Sequence, residues 1–188
     1  MLTSLLTALQ AVAPLPLADH APLLAAWDCR TVAEGELLSQ AGTVCQELFF
    51  IQQGVLRLLG PPGQAVTHSF RQAGQFCTVL TSFEQQVPTS LCIQAACPAQ
   101  VLAIHRTHLA ALGHRLPYLP GVLAQVSRQA LLEKLDTQRA YAGQDAAGRY
   151  RTFLQRQPDI ARCVPQHMIA SYLGITPQSL SRLRKALG

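Results

Sequence analysis

VPQHMIASYLGITPQSLSRLRKALG, Val164 to Gly188, is the stretch whose reading decides the architecture. It predicts two short helices joined by a tight turn. Pro165 suits the first turn of a helix, where its missing N–H costs nothing. Ile169, Ala170 and Leu173 then recur at helical spacing. Gly174 follows as the stop, being the residue that takes positive φ most cheaply. Thr176 is a good N-cap and Pro177 a good N1, so a second helix begins at once, with Leu180, Leu183 and Leu187 as its apolar residues.

This is the plan of a helix-turn-helix: a small residue, Ala170, lets the helices approach, Gly174 makes the turn, and Ile175 plugs the core. At about 100° per residue the three leucines share one sector of the second helix. Gln178, Ser181, Arg182 and Lys185 occupy the opposite one. An amide, a hydroxyl and two cations are the side chains that reach base edges and phosphates in a major groove. Thr176, Ser179 and Arg184 complete the set expected to touch DNA. The plainer alternative is an αα-hairpin whose basic face is merely solvated.

Working outward, the charge supports the first reading. Residues 149–188 carry Arg149, Arg151, Arg156, Arg162, Arg182, Arg184 and Lys185 against Asp159 alone, a net of +6. The eight cations and nine acids of residues 1–148 leave −1 there, so the positive charge sits where phosphate contacts are needed. Upstream, Leu119, Val122, Leu123, Val126, Ala130, Leu131 and Leu135 draw a broad apolar stripe on one long helix. Such a stripe packs either on its own sheet or across a two-fold axis. Gly143 and Gly148 bracket an expected hinge, and Arg149 to Leu154 begins a helix that ends before Pro158.

Between Asp28 and Ile104 the pattern is different. Residues 47–51, 55–59, 65–70, 91–93 and 100–104 are short strand candidates punctuated by glycines, with Gly60-Pro-Pro-Gly63 as a strong turn. Many short strands predict an antiparallel sandwich or barrel. Before them, Leu2 to Trp27 reads as one or two helices broken at Pro14 and Pro16.

With 49% hydrophobic and 13% charged residues, the chain has ample material for a packed core and little reason for disorder. No Lys or Arg precedes Arg30, which argues against a secretory signal. No apolar run is long enough for a membrane span. The six cysteines form no C-x-x-C pair and are expected to be reduced thiols of a cytoplasmic protein. His105 and His108 share a helical face but lack a third ligand, so a structural role and no metal site is expected. No nucleophile–base spacing, paired carboxylates or phosphate-cradling glycine loop suggests an enzyme.

Strand-rich segment, long helix and C-terminal helix-turn-helix, in this order, resemble the Crp/Fnr family of bacterial transcription regulators. The most specific residues are Arg149-Tyr150, Pro158, Val164-Pro165-Gln166, Ile169 to Ile175, Pro177 and Leu180-Ser-Arg182, a run similar to short members common in Bacteroidetes. Gly42, Leu48-Phe-Phe-Ile51, Gly54, Val55 and Arg57 match the family's glycine-punctuated jelly roll.

The resemblance implies an α+β fold. A jelly-roll sensor with N-terminal helices spans residues 1–116, a dimerisation helix residues 117–142, and a helix-turn-helix domain lacking the usual wing residues 143–188. It implies a cytoplasmic homodimer on double-stranded DNA, paired through Leu119, Val122, Leu123, Val126 and Ala130, with RNA polymerase as a further partner and no cofactor or membrane.

Cyclic-nucleotide-binding members hold the ribose with the Glu of a Phe-Gly-Glu and the phosphate with the Arg of a Pro-Arg-Ser/Thr. Here Phe76-Cys77-Thr78 and Pro88-Thr89-Ser90 stand in those places, so both charged anchors are missing. The expected pocket would serve an unidentified effector, or none, but not cyclic AMP. At base-reading positions the cyclic-AMP-responsive pattern is Arg, Glu, Arg, whereas this chain has Pro177, Gln178 and Arg182. The alternative function is a ligand-binding or protein-interaction module whose DNA-binding part is vestigial.

Overall fold

The computed structural model describes residues 3–63 and 66–187. Helices α1 (Thr3–Gln10) and α2 (His20–Ala25) precede eight strands. These are β1 (Asp28–Val32), β2 (Leu37–Ser39), β3 (Glu47–Gln53), β4 (Val55–Leu59), β5 (Thr67–Gln72), β6 (Phe76–Cys77), β7 (Cys92–Ala95) and β8 (Ala99–His105), with α3 (Leu80–Gln85) between β6 and β7. Five more helices follow: α4 (Arg106–Arg115), α5 (Leu119–Tyr141), α6 (Ala146–Arg156), α7 (Pro158–Cys163) and α8 (Gln166–Leu173), before α9 (Pro177–Leu187) ends the chain.

The strands form two four-stranded antiparallel sheets, ordered β1-β8-β3-β6 and β2-β7-β4-β5. The β-sandwich expected from the short strands is therefore present. All five strand candidates fall on strands, although Ala65, in the third of them, lies outside the described residues, as do Leu2 and Gly188. Three strands and three helices, α3, α4 and α7, had no clear signal. β1 is nearly all solvent-exposed and held by pairing to β8, while β2 and β6 are three and two residues long.

Alternation along β3 and β8 sorts the core into layers. Phe49, Ile51, Val101 and Ala103 point between the sheets. Leu48, Phe50, Leu102 and Ile104 point the other way, onto Leu5, Leu9, Leu23 and Trp27 and the start of α5. Both faces of this sheet are covered, which is why these strands read as continuous apolar runs. Gly54 turns the chain from one sheet to the other with φ +85°, and a Cβ there would lie 2.5 Å from the Pro98 carbonyl oxygen. Only glycine fits that corner.

The third cluster joins the C-terminal helices to the second sheet: Phe153, Ile160, Ile169, Ala170, Leu173 and Leu180 pack together with Val55, Phe70 and Ala96. Gly143 takes φ +73° between α5 and α6, as a hinge would. Gly148 does not bracket it. It sits inside α6, where its N–H donates to the capping Asp145 Oδ1 at 2.7 Å.

Candidate nucleic-acid interface and ligand cavity

The two C-terminal helices are built as their sequence dictates. Gly174 closes α8 in the left-handed conformation (φ 66°, ψ 37°), its N–H returning to Ser171 O and Ala170 O. Pro165 lies one position earlier than expected, at the N-cap of α8. Thr176 Oγ1 accepts from the Ser179 N–H at 3.1 Å, capping α9. Ala170 and Leu180 are fully buried where the helices cross, and Leu183 and Ile175 are half-buried beside them. The side chain of Leu187 lies outside the described set.

Gln178, Ser181, Arg182, Arg184 and Lys185 are all solvent-exposed on α9, as is Thr176 before it, while Ser179 is half-buried. None of these cations has an ion pair among the described residues, whose three bridges are Arg30–Glu47, Arg156–Asp136 and Arg162–Asp159. The face is thus basic and uncommitted.

The back of α8 is fastened to the sandwich. Ser171 Oγ accepts the Thr67 N–H at 3.0 Å. Tyr172 meets Phe70 of β5 edge-on at 5.1 Å and lies 6.0 Å from both Tyr141 of α5 and Phe153 of α6. Arg57, buried in the sheet, continues the link by donating to Thr67 Oγ1 at 3.0 Å and to Gln94 Oε1 at 2.6 and 2.9 Å. Burial holds its pKa below the usual guanidinium value. Ser171 lay in view in the helix-turn-helix, but its sheet partner is 104 residues distant and left no sequence signal.

A cavity of about 450 Å³ lies between the sandwich and α5. Of the six residues expected at an effector pocket, Phe76, Cys77 and Thr78 line this cavity, and Pro88, Thr89 and Ser90 are not among its lining residues. Thr89 is instead buried in a turn, where its Oγ1 accepts the Leu91 N–H at 2.9 Å and its backbone pairs with Gly42 and Thr43. A polar side chain with such partners has no reason to face a ligand. The Thr78 hydroxyl is likewise occupied, donating to the Glu47 carbonyl at 2.9 Å. Burial pushes the Cys77 thiol up to about 12, so it is a structural thiol rather than a nucleophile.

The expected pairing residues of α5 divide. Leu119 and Val122 are only 2% and 4% exposed, sunk in the protomer's own core, and Leu123 and Val126 pack half-buried against it. Ala130 is half-buried. Beyond it, Leu131, Leu132 and Leu135 are 54%, 56% and 41% exposed. The first part of the stripe thus packs on the protomer's own core, and its later part is free surface. His105 caps α4, its ring accepting the Thr107 N–H. Among the described residues no cluster of three or more His, Cys, Asp or Glu side chains is placed to hold a metal. No described helix is long and apolar enough to cross a membrane.

A β-sandwich, the long helix α5 and a terminal helix pair make up the fold, and comparison with known proteins finds the same fold elsewhere. Residues 29–115 match the family described as the cyclic nucleotide-binding domain. FixK2 from Bradyrhizobium japonicum is similar with a TM-score of 0.70 at 16% identity, over 86% of this chain and 84% of that one. CLP of Xanthomonas campestris, a c-di-GMP responsive global regulator, gives 0.69 at 15% identity over 92% and 91%. The Thermus thermophilus catabolite activator protein gives 0.56 at 22% identity over 96% and 86%. No curated protein matches significantly.

Proposed function

We propose that this chain is a homodimeric, sequence-specific DNA-binding transcription regulator of Crp/Fnr type that does not respond to cyclic AMP. The observation that carries the reading is α9: exposed Gln178, Ser181, Arg182 and Lys185 on a helix whose other side is locked by the buried Leu180. Such a helix presents donors rigidly, which is what base reading requires. The apolar Leu131, Leu132 and Leu135 of α5 supply the pairing face. The fold is similar to those of FixK2 and CLP over most of both chains, which supports the reading.

The deciding experiment selects bound fragments from genomic DNA with the purified protein and then measures gel shifts on them. A salt-dependent, sequence-selective shift is expected. No preference over scrambled DNA at any salt would leave the alternative, a ligand-binding or interaction module with a vestigial DNA-binding part.

The residues at the two anchoring places support the absence of a cyclic-AMP response. Thr78 and Thr89 stand where the family's ribose-binding acid and phosphate-binding cation would be, so a ribose and phosphate held there would lose charge-assisted contacts and keep their desolvation cost. Calorimetry should show no binding of cyclic AMP or cyclic GMP at micromolar concentrations. A micromolar dissociation constant would remove this part of the reading.

A further inference from the structure

The cavity between the sandwich and α5 has its own charge pattern. Leu48, Phe76, Phe83, Leu109, Leu123 and Val126 are part of a mainly apolar lining. Its charged members are Arg71, Glu84 and Lys134, a net of +1. Arg71 stands on β5, half-buried, and neither it nor Lys134 takes part in an ion pair among the described residues. Its charge acts on the Cys77 thiol, which shares the lining and whose ionisation it favours, so the guanidinium lies near the cavity.

No cation stands at position 89, but Arg71 of β5 lines the cavity. Glu84 shares the lining and Glu133 lies nearby, but Arg71 forms no ion pair with either, so an anion placed against its guanidinium could add charge-assisted bonds. Ser69, Thr81 and Ser127 also line the wall and the Thr78 hydroxyl is already engaged with Glu47 O, but most of the lining is apolar and rewards hydrocarbon.

We propose that this cavity binds a small amphipathic monoanion, an acyl or aryl body bearing one carboxylate, with Arg71 as its anchor and Lys134 as a second cation. This rests on reading the sandwich as a sensor, but it does not depend on DNA binding. It predicts a ligand class set by one charge at the end of an apolar slot.

The test is calorimetric titration of the full chain with octanoate, 1-octanol and cyclic AMP. Octanoate should bind at least ten-fold more tightly than 1-octanol. Arg71→Gln should remove that advantage while leaving 1-octanol unchanged, and Arg71→Lys should keep most of it. Lys134→Gln, at an exposed position of α5, is a second variant safe for folding and should cost octanoate a few-fold. Circular dichroism confirms that each variant is folded. Equal binding of octanoate and 1-octanol, no effect of Arg71→Gln, absence of octanoate binding, or tighter binding of cyclic AMP would each overturn the proposal. Octanoate binding without a DNA shift would sink the regulator reading alone, and a shift without octanoate binding would sink only the ligand class.

Discussion

At the scale of single residues, Arg182 and Lys185 share one exposed face of α9 but differ in distance from its start at Pro177. The N-terminal part of a recognition helix enters the groove and its later turns approach the flanking backbone. Arg182 can present a two-pronged donor to a guanine edge, worth about 1–3 kcal/mol of discrimination. Lys185 is better placed for phosphate. Arg182→Ala should relax specificity at one base pair per half-site and leave non-specific binding nearly unchanged. Lys185→Ala should weaken all sequences alike and reduce the salt slope by about one unit per protomer. Salt titrations on selected and scrambled DNA distinguish these outcomes; equal losses from Arg182→Ala would mean that the helix lies on the backbone.

At the scale of elements, α5 carries one stripe that is buried in its first half and exposed in its second. The Tyr118 hydroxyl donates to Asp19 Oδ2 at 2.8 Å and holds the start of the helix on the N-terminal segment, so its first turns bury Leu119 and Val122. Past Ala130 the sandwich no longer covers it, and three large apolar side chains face solvent. Already about half covered, each would contribute about 1 kcal/mol if a second copy buried the rest. Leu131→Glu combined with Leu135→Glu should therefore convert a dimer to a monomer in light scattering without lowering the protomer's melting temperature. Val122→Glu should lower stability instead, because it places a charge in the protomer core. A double variant that stays dimeric would move the interface elsewhere.

At the scale of the whole molecule, Tyr172 is the joint. Its ring touches the sensor sheet through Phe70, the end of α5 through Tyr141 and the terminal helices through Phe153. Arg156 spans the same joint, donating to Asp136 Oδ2 at 2.6 Å, but this pair is exposed and contributes little. Tyr172→Ala should therefore cost about 3 kcal/mol and uncouple the terminal helices from the sandwich. Scanning calorimetry should show one transition for the wild type and two for the variant. A single transition at an unchanged temperature would mean that the two parts are joined by other contacts.

Much of this was legible in the chain because the signals are local. Caps, stops and a 3.6-residue period determine α8 and α9 within 25 residues, and short apolar runs between glycines mark the central strands. The basic outer face of α9 follows from the same geometry. What the sequence withheld is long-range. β1, β2 and β6 are short or exposed and exist through pairing with distant strands. Only the packed fold assigns the two halves of α5 to core and surface, turns Thr89 into a buried turn residue and leaves Arg71 beside an apolar cavity. Hydrogen-bonded turns and helix faces depend on neighbours three or four residues away. Cavities, joints and unpaired charges depend on which distant surfaces meet, and that is decided by tertiary packing alone.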